Sequence, residues 1–75
     1  MKPNLSPAEA SVYLAETYGI VRSRKTLANL RSIGGGPGFK KLGPFEVLYP
    51  TAELNRWAER LLDVPVIENT AQEVA

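Results

Sequence analysis

The chain has 75 residues, with nine Lys and Arg against eight Asp and Glu, and neither His nor Cys. That length is one domain, which buries only about 60% of the surface its unfolded chain exposes. Without Cys or His there is no disulfide framework, no thiolate or imidazole chemistry and no zinc finger, and a reducing cytoplasm is the expected compartment.

Six Gly, six Pro and 44% hydrophobic residues suit a globular chain. No apolar run approaches the roughly 18 residues of a membrane span. Met1 to Ser6 lacks the apolar stretch of a signal peptide. The net charge of +1 hides an asymmetry. From Thr17 to Phe45 there are six bases (Arg22, Arg24, Lys25, Arg31, Lys40 and Lys41) and no acid, whereas the rest has three bases against eight acids, a net of −5. Such a segment suits a polyanionic partner.

Ser6-Pro7-Ala8-Glu9 reads as a capping box, with Ser6 at N-cap, Pro7 at N1 and Glu9 at N3. Leu5 and Ala10 form the accompanying hydrophobic staple. Ala10, Tyr13, Leu14, Thr17 and Tyr18 follow at helical spacing and Gly19 is the stop, so the first helix is predicted over Pro7–Tyr18. Tyr13 and Tyr18 are expected to seal it onto the core. Ile20 to Arg22 is a connector. Ser23 caps a second helix whose inward stripe is Leu27, Leu30 and Ile33, and Gly34 ends it.

Gly34 to Gly38 predicts a loop. It holds no Gly-x-x-x-x-Gly-Lys-Ser/Thr and follows no strand, so it is not a nucleotide-phosphate loop. Phe39–Leu42 and Glu46–Tyr49 read as two short strands joined by Gly43-Pro44-Phe45. A third helix is expected from Thr51 at N-cap, with Leu54, Trp57, Ala58, Leu61 and Leu62 as its stripe and Asp63 to Pro65 as its end. Trp57 and Tyr49 are expected in the core. Residues 1–62 are thus expected to form the domain, and 63–75 a flexible tail.

The predicted fold class is mainly α with a small β-hairpin: helix, turn, helix, two-stranded wing, helix. In this order the second helix suits a major groove and the wing the backbone or minor groove. Leu5-Ser6, Glu9-Ala10, Tyr13-Leu14, Ser23 to Leu27, Gly36 to Phe39, Lys41 to Gly43, Val47 to Tyr49, and Glu53-Leu54 with Trp57 together resemble the excisionase and AlpA-like family of small winged-helix proteins related to MerR regulators. The resemblance covers residues 5 to 62. It implies sequence-specific binding of double-stranded DNA by a bacterial, nucleoid-associated protein. Its role would be that of a recombination directionality factor for a phage or integrative element, bending DNA to assist an integrase, with copies associating head to tail. An AlpA-type transcription regulator is the near alternative. The chain departs from the pattern in its longer Gly19 to Ser23 connector, in Leu30 for a frequent Trp, and in Gly43-Pro44-Phe45 and Leu48, where bases are common. The uncharged Gly43-Pro44-Phe45 tip and Leu48 motivate a third reading, a protein-binding antiactivator.

On the second helix Arg24, Lys25, Ala28, Asn29 and Ser32 face outward by periodicity, with Ser23 at its start. Arg and Lys suit guanine, Asn suits adenine, and Ala allows close approach to a thymine methyl. Arg22, Lys40 and Lys41 are phosphate candidates. Arg31 either joins them or caps the last carbonyls of its helix. Pro44 and Phe45 form a possible wing-tip contact: Phe45 can wedge into a minor groove, meet a neighbouring copy or fold back on the core, the last being expected. Carboxylates such as Glu53 and Glu59 lie on a helix surface without a cleft, so no enzyme, cofactor or metal is expected.

Overall fold

The computed structural model describes residues 2–69. In chain order they form β1 (Asn4–Leu5), α1 (Pro7–Tyr18), α2 (Arg24–Ile33), β2 (Lys40–Lys41), β3 (Val47–Pro50) and α3 (Thr51–Leu62). The fold is mixed α/β, three helices with a three-stranded antiparallel sheet in the order β1-β3-β2.

The helix starts follow from their capping chemistry. The Glu9 amide donates to Ser6 Oγ at 3.2 Å and the Ser6 amide donates to Glu9 Oε1 at 2.9 Å, which completes the capping box of α1. Gly19 closes α1 at φ 71°, a left-handed conformation that costs glycine little, and its amide donates to Ala15 O. Ser23 Oγ accepts from the Thr26 amide at the start of α2. At α3 the expectation fails, because Pro50 occupies the N-cap and Thr51 is already helical. Thr51 is used elsewhere: its hydroxyl donates to Lys2 O and its amide to Pro3 O, both at 2.8 Å.

That pair of bonds belongs to an element the sequence did not reveal. The predicted two-stranded hairpin forms, with Lys40 opposite Leu48 and Lys41 opposite Val47. Its second strand also pairs on its other side with β1, Leu5 opposite Tyr49 and Asn4 opposite Pro50. The N-terminal segment thus satisfies backbone groups on β3 that an edge would leave unpaired. β2 remains an edge, and its two lysines also oppose edge-to-edge aggregation.

The core is Leu5, Ala10, Leu14, Ile20, Leu27, Tyr49, Leu54 and Ala58, with Tyr13, Tyr18, Val47 and Trp57 packed against it. Both tyrosine hydroxyls donate to Asn55 Oδ1, which ties α1 to α3. Partial desolvation, then the neighbouring Tyr13, pushes the Tyr18 pKa up and keeps its hydroxyl a donor. The predicted stripes overreach. Thr17, Leu61 and Leu62 are exposed, and Ile33 is 80% exposed. Periodicity identifies a helix face but not where the core beneath it stops; each of these residues lies in the last turn of its helix. Trp57 is half-buried at the core margin, and its indole N–H donates to Gly35 O at 2.9 Å. The glycine loop passes so close to α2 that a Cβ on Gly36 would stand 2.8 Å from Leu30 Cβ. Among the described residues no helix is long and apolar enough to cross a membrane. Residues 63–69 are exposed and carry no helix or strand, and the rest of the predicted tail, 70–75, lies outside the described residues.

Candidate nucleic-acid interface

The outward face of α2 lies between two hollows. One, of about 410 Å³, opens towards the start of α1 and is lined by Ser6, Pro7, Ala8, Arg24, Lys25, Ala28 and Arg31. The other, also about 410 Å³, opens towards the β2–β3 hairpin and includes Ala28, Arg31, Ser32, Lys41, Pro44 and Phe45 in its lining. Ala28 and Arg31 line both, so the two hollows adjoin at these residues and form a divided groove along α2. Neither contains a carboxylate.

The helix geometry explains this grouping. Residues 24, 28, 31 and 32 recur three or four apart and share a face. Leu27, on the flank of this face next to Arg24 and Arg31, is fully buried and sets the rotation of α2 about its axis. On the hairpin, Lys41 sits opposite Val47, which packs on the core, and so shares the sheet face that looks towards α2. Lys40 sits opposite Leu48 on the other face and lines neither hollow.

Seven of the residues expected from the sequence are therefore brought together: Arg24, Lys25, Ala28, Ser32, Lys41, Pro44 and Phe45. Asn29 is exposed on α2 but lines neither hollow. Ser23 caps α2, its hydroxyl accepting from the Thr26 amide and donating to Thr26 Oγ1 at 3.0 Å. Arg22 is turned elsewhere, with its guanidinium 6.0 Å from the Trp57 ring centroid and its Nη1 donating to Val21 O. An indole face attracts a cation, which accounts for the displacement of this phosphate candidate.

One expectation, and one of two open alternatives, need correction. Phe45 does not fold back on the core: it is 99% exposed, because the Leu42 amide bonds Glu46 O and closes the turn with the ring outside it. Arg31 does not cap its helix. Its Nη1 donates to Tyr49 Oη at 2.6 Å and its guanidinium carbon lies 5.8 Å from the ring centroids of both Phe39 and Tyr49. The sequence left Arg31 between a phosphate contact and a helix cap. The available signal was its spacing, three residues after Ala28 and seven after Arg24.

The electrostatic division is spatial as well as sequential. The ion pairs among the described residues are Lys2 with Glu9 and Glu53 with Arg56, and none involves the six bases of the middle segment. A largely apolar hollow outside the groove is lined by Leu5, Ala8, Val12 and Tyr13 and flanked by Glu9 and Glu16. Set against family models and against curated proteins, the chain matches none of them.

Proposed function

We propose that the protein is a winged helix-turn-helix DNA-binding module acting as an excisionase or recombination directionality factor. In this reading α1 and α2 are the helix-turn-helix, α2 lies in a major groove and the β2–β3 hairpin is the wing on the adjoining backbone. The observation that carries the proposal is the acid-free lining of two adjoining hollows, with Arg24 and Lys25 in one, Lys41 of the hairpin in the other and Arg31 in both. A helix presenting Arg, Lys and Ala from its first turns has the donors and the close approach that base edges require.

Mechanistically the protein is architectural. Several copies on adjacent sites would bend DNA so that an integrase assembles on it. Among the described residues Arg24, Lys25 and Lys41 form no ion pair, so about three phosphates are neutralised by them, and log K falls against log salt with a slope of roughly −2.7. Fluorescence anisotropy with a labelled duplex across a salt series checks this, and a flat dependence sinks the reading. Selection of bound sequences from random DNA then names the site. Stimulation of excision by a neighbouring integrase separates a directionality factor from a transcription regulator, which would change promoter output instead.

The bare wing tip favours a second reading, docking to another protein through Phe45 and Leu42, both exposed. Function that survives Arg24→Ala with Lys25→Ala would support it against the first.

A further inference from the structure

We infer that Arg31 is a clamp for a DNA backbone phosphate, positioned before DNA arrives by Tyr49 and Phe39. The inference rests on the DNA-binding reading and adds to it the device that positions Arg31, which the sequence left between phosphate contact and helix cap. Arg31 is the one cation that lines both hollows, and so stands at the middle of the groove.

Its guanidinium is oriented from behind. Tyr49 is fully buried at the centre of the sheet, paired to Leu5 of β1, so its ring cannot swing away. Its hydroxyl accepts from Arg31 Nη1 at 2.6 Å. The Phe39 and Tyr49 rings, 6.2 Å apart, both lie within cation–π distance of the guanidinium. An arginine loose in solvent gives up rotamer freedom when it grips a ligand; this one has already given it up in the free protein.

The remaining N–H groups suit a phosphate. A guanidinium has five donors in a fork matching two phosphate oxygens, and Tyr49 accounts for one of them. Arg31 forms no ion pair with a described residue. It lies in the last turn of α2, whereas recognition helices read base edges with their N-terminal residues. Tyr49 is then a positioning residue, acting on DNA only through Arg31.

The test compares wild type, Arg31→Gln, Arg31→Lys and Tyr49→Phe by anisotropy on a labelled random-sequence duplex over a salt series, with circular dichroism fixing the folded fraction. Arg31→Gln is expected to flatten the slope by roughly 0.9, the signature of one lost phosphate contact, and to weaken all sequences alike. Arg31→Lys should keep the slope but not the full affinity, since it restores the charge without the fork. Tyr49→Phe should keep the slope and weaken binding roughly three- to tenfold, an effect absent once Arg31 is replaced. A folded Arg31→Gln protein with wild-type slope overturns the clamp while leaving DNA binding intact. Should that variant fail to fold, Arg31→Lys decides, because wild-type affinity there overturns the fork. Wild-type affinity in Tyr49→Phe overturns the positioning role. A wild-type protein without salt-dependent binding overturns the DNA reading and the clamp together.

Discussion

α1 and α3 each bury two side chains completely, Ala10 with Leu14 and Leu54 with Ala58, and Asn55 joins them through two tyrosine hydroxyls. α2 buries Leu27 alone, and β2 buries nothing. The first pair of elements carries four acids and two bases with most of the packing, while the second carries five bases and no acid. In a chain this small the two demands conflict, because a residue presented to a partner is one withdrawn from the core. The molecule meets this by division: one side is a frame, and the other is a surface fastened to it by Leu27 and by the Arg31–Tyr49 bond.

Substitutions on the two sides should therefore separate stability from binding. The largest effect is expected in the frame. Leu14→Ala leaves a cavity among fully buried neighbours and should cost about 2–5 kcal/mol, a large part of the margin of a small domain. Denaturant titration checks this, and DNA affinity should fall only with the folded fraction. The next effect is its converse. Arg24→Ala with Lys25→Ala removes two exposed cations, so stability should stay within about 0.5 kcal/mol. The salt slope of binding should flatten by roughly 1.8. A double variant that unfolds, or one that binds normally, would break the division. The smallest effect concerns the start of α1. The Lys2 ammonium bonded to Glu9, with the Ser6 amide next, holds the Glu9 carboxyl below its ordinary pKa of 4.5. A depressed pKa means that the stabilisation is present above pH 4.5 and is lost as pH falls through the folded-state value. Glu9→Gln should be less stable at neutral pH, and the gap should close in acid, as thermal melts across pH 2 to 7 would show.

The local chemistry of the frame was legible in the chain. Ser6 with Glu9, Gly19 and Ser23 each mark a helix end through bonds made within a few residues, and all three stand as read. The β2–β3 pairing was legible for the same reason, since its turn is short. β1 was not. Two residues carry no alternation to detect, and their partners Tyr49 and Pro50 are distant in sequence, beyond two helices and a strand. Leu5 was correctly read as apolar, but its strand pairing needed the tertiary fold. In the groove, helical spacing placed Arg24, Lys25, Ala28 and Ser32 on the outside of α2. It could not foresee that Trp57 would draw Arg22 aside or that Tyr49 would hold Arg31, because both aromatic partners come from other elements. Phe45 was misjudged on a general preference for burial, which a three-residue tip closed by Leu42 and Glu46 cannot satisfy.

β3 passes into α3 with no intervening loop, Pro50 being the last residue of one and Thr51 the first of the other. The joint is stiff, since the Pro50 ring fixes φ and Thr51 is pinned to Lys2 and Pro3. Hairpin and helix consequently meet at a fixed angle, like the two arms of a bracket. The helical arm is 12 residues long, about 18 Å. With Leu54 and Ala58 seated in the core and Asn55 bonded to Tyr13 and Tyr18, that arm anchors the hairpin to α1, so a load on the hairpin passes into the frame.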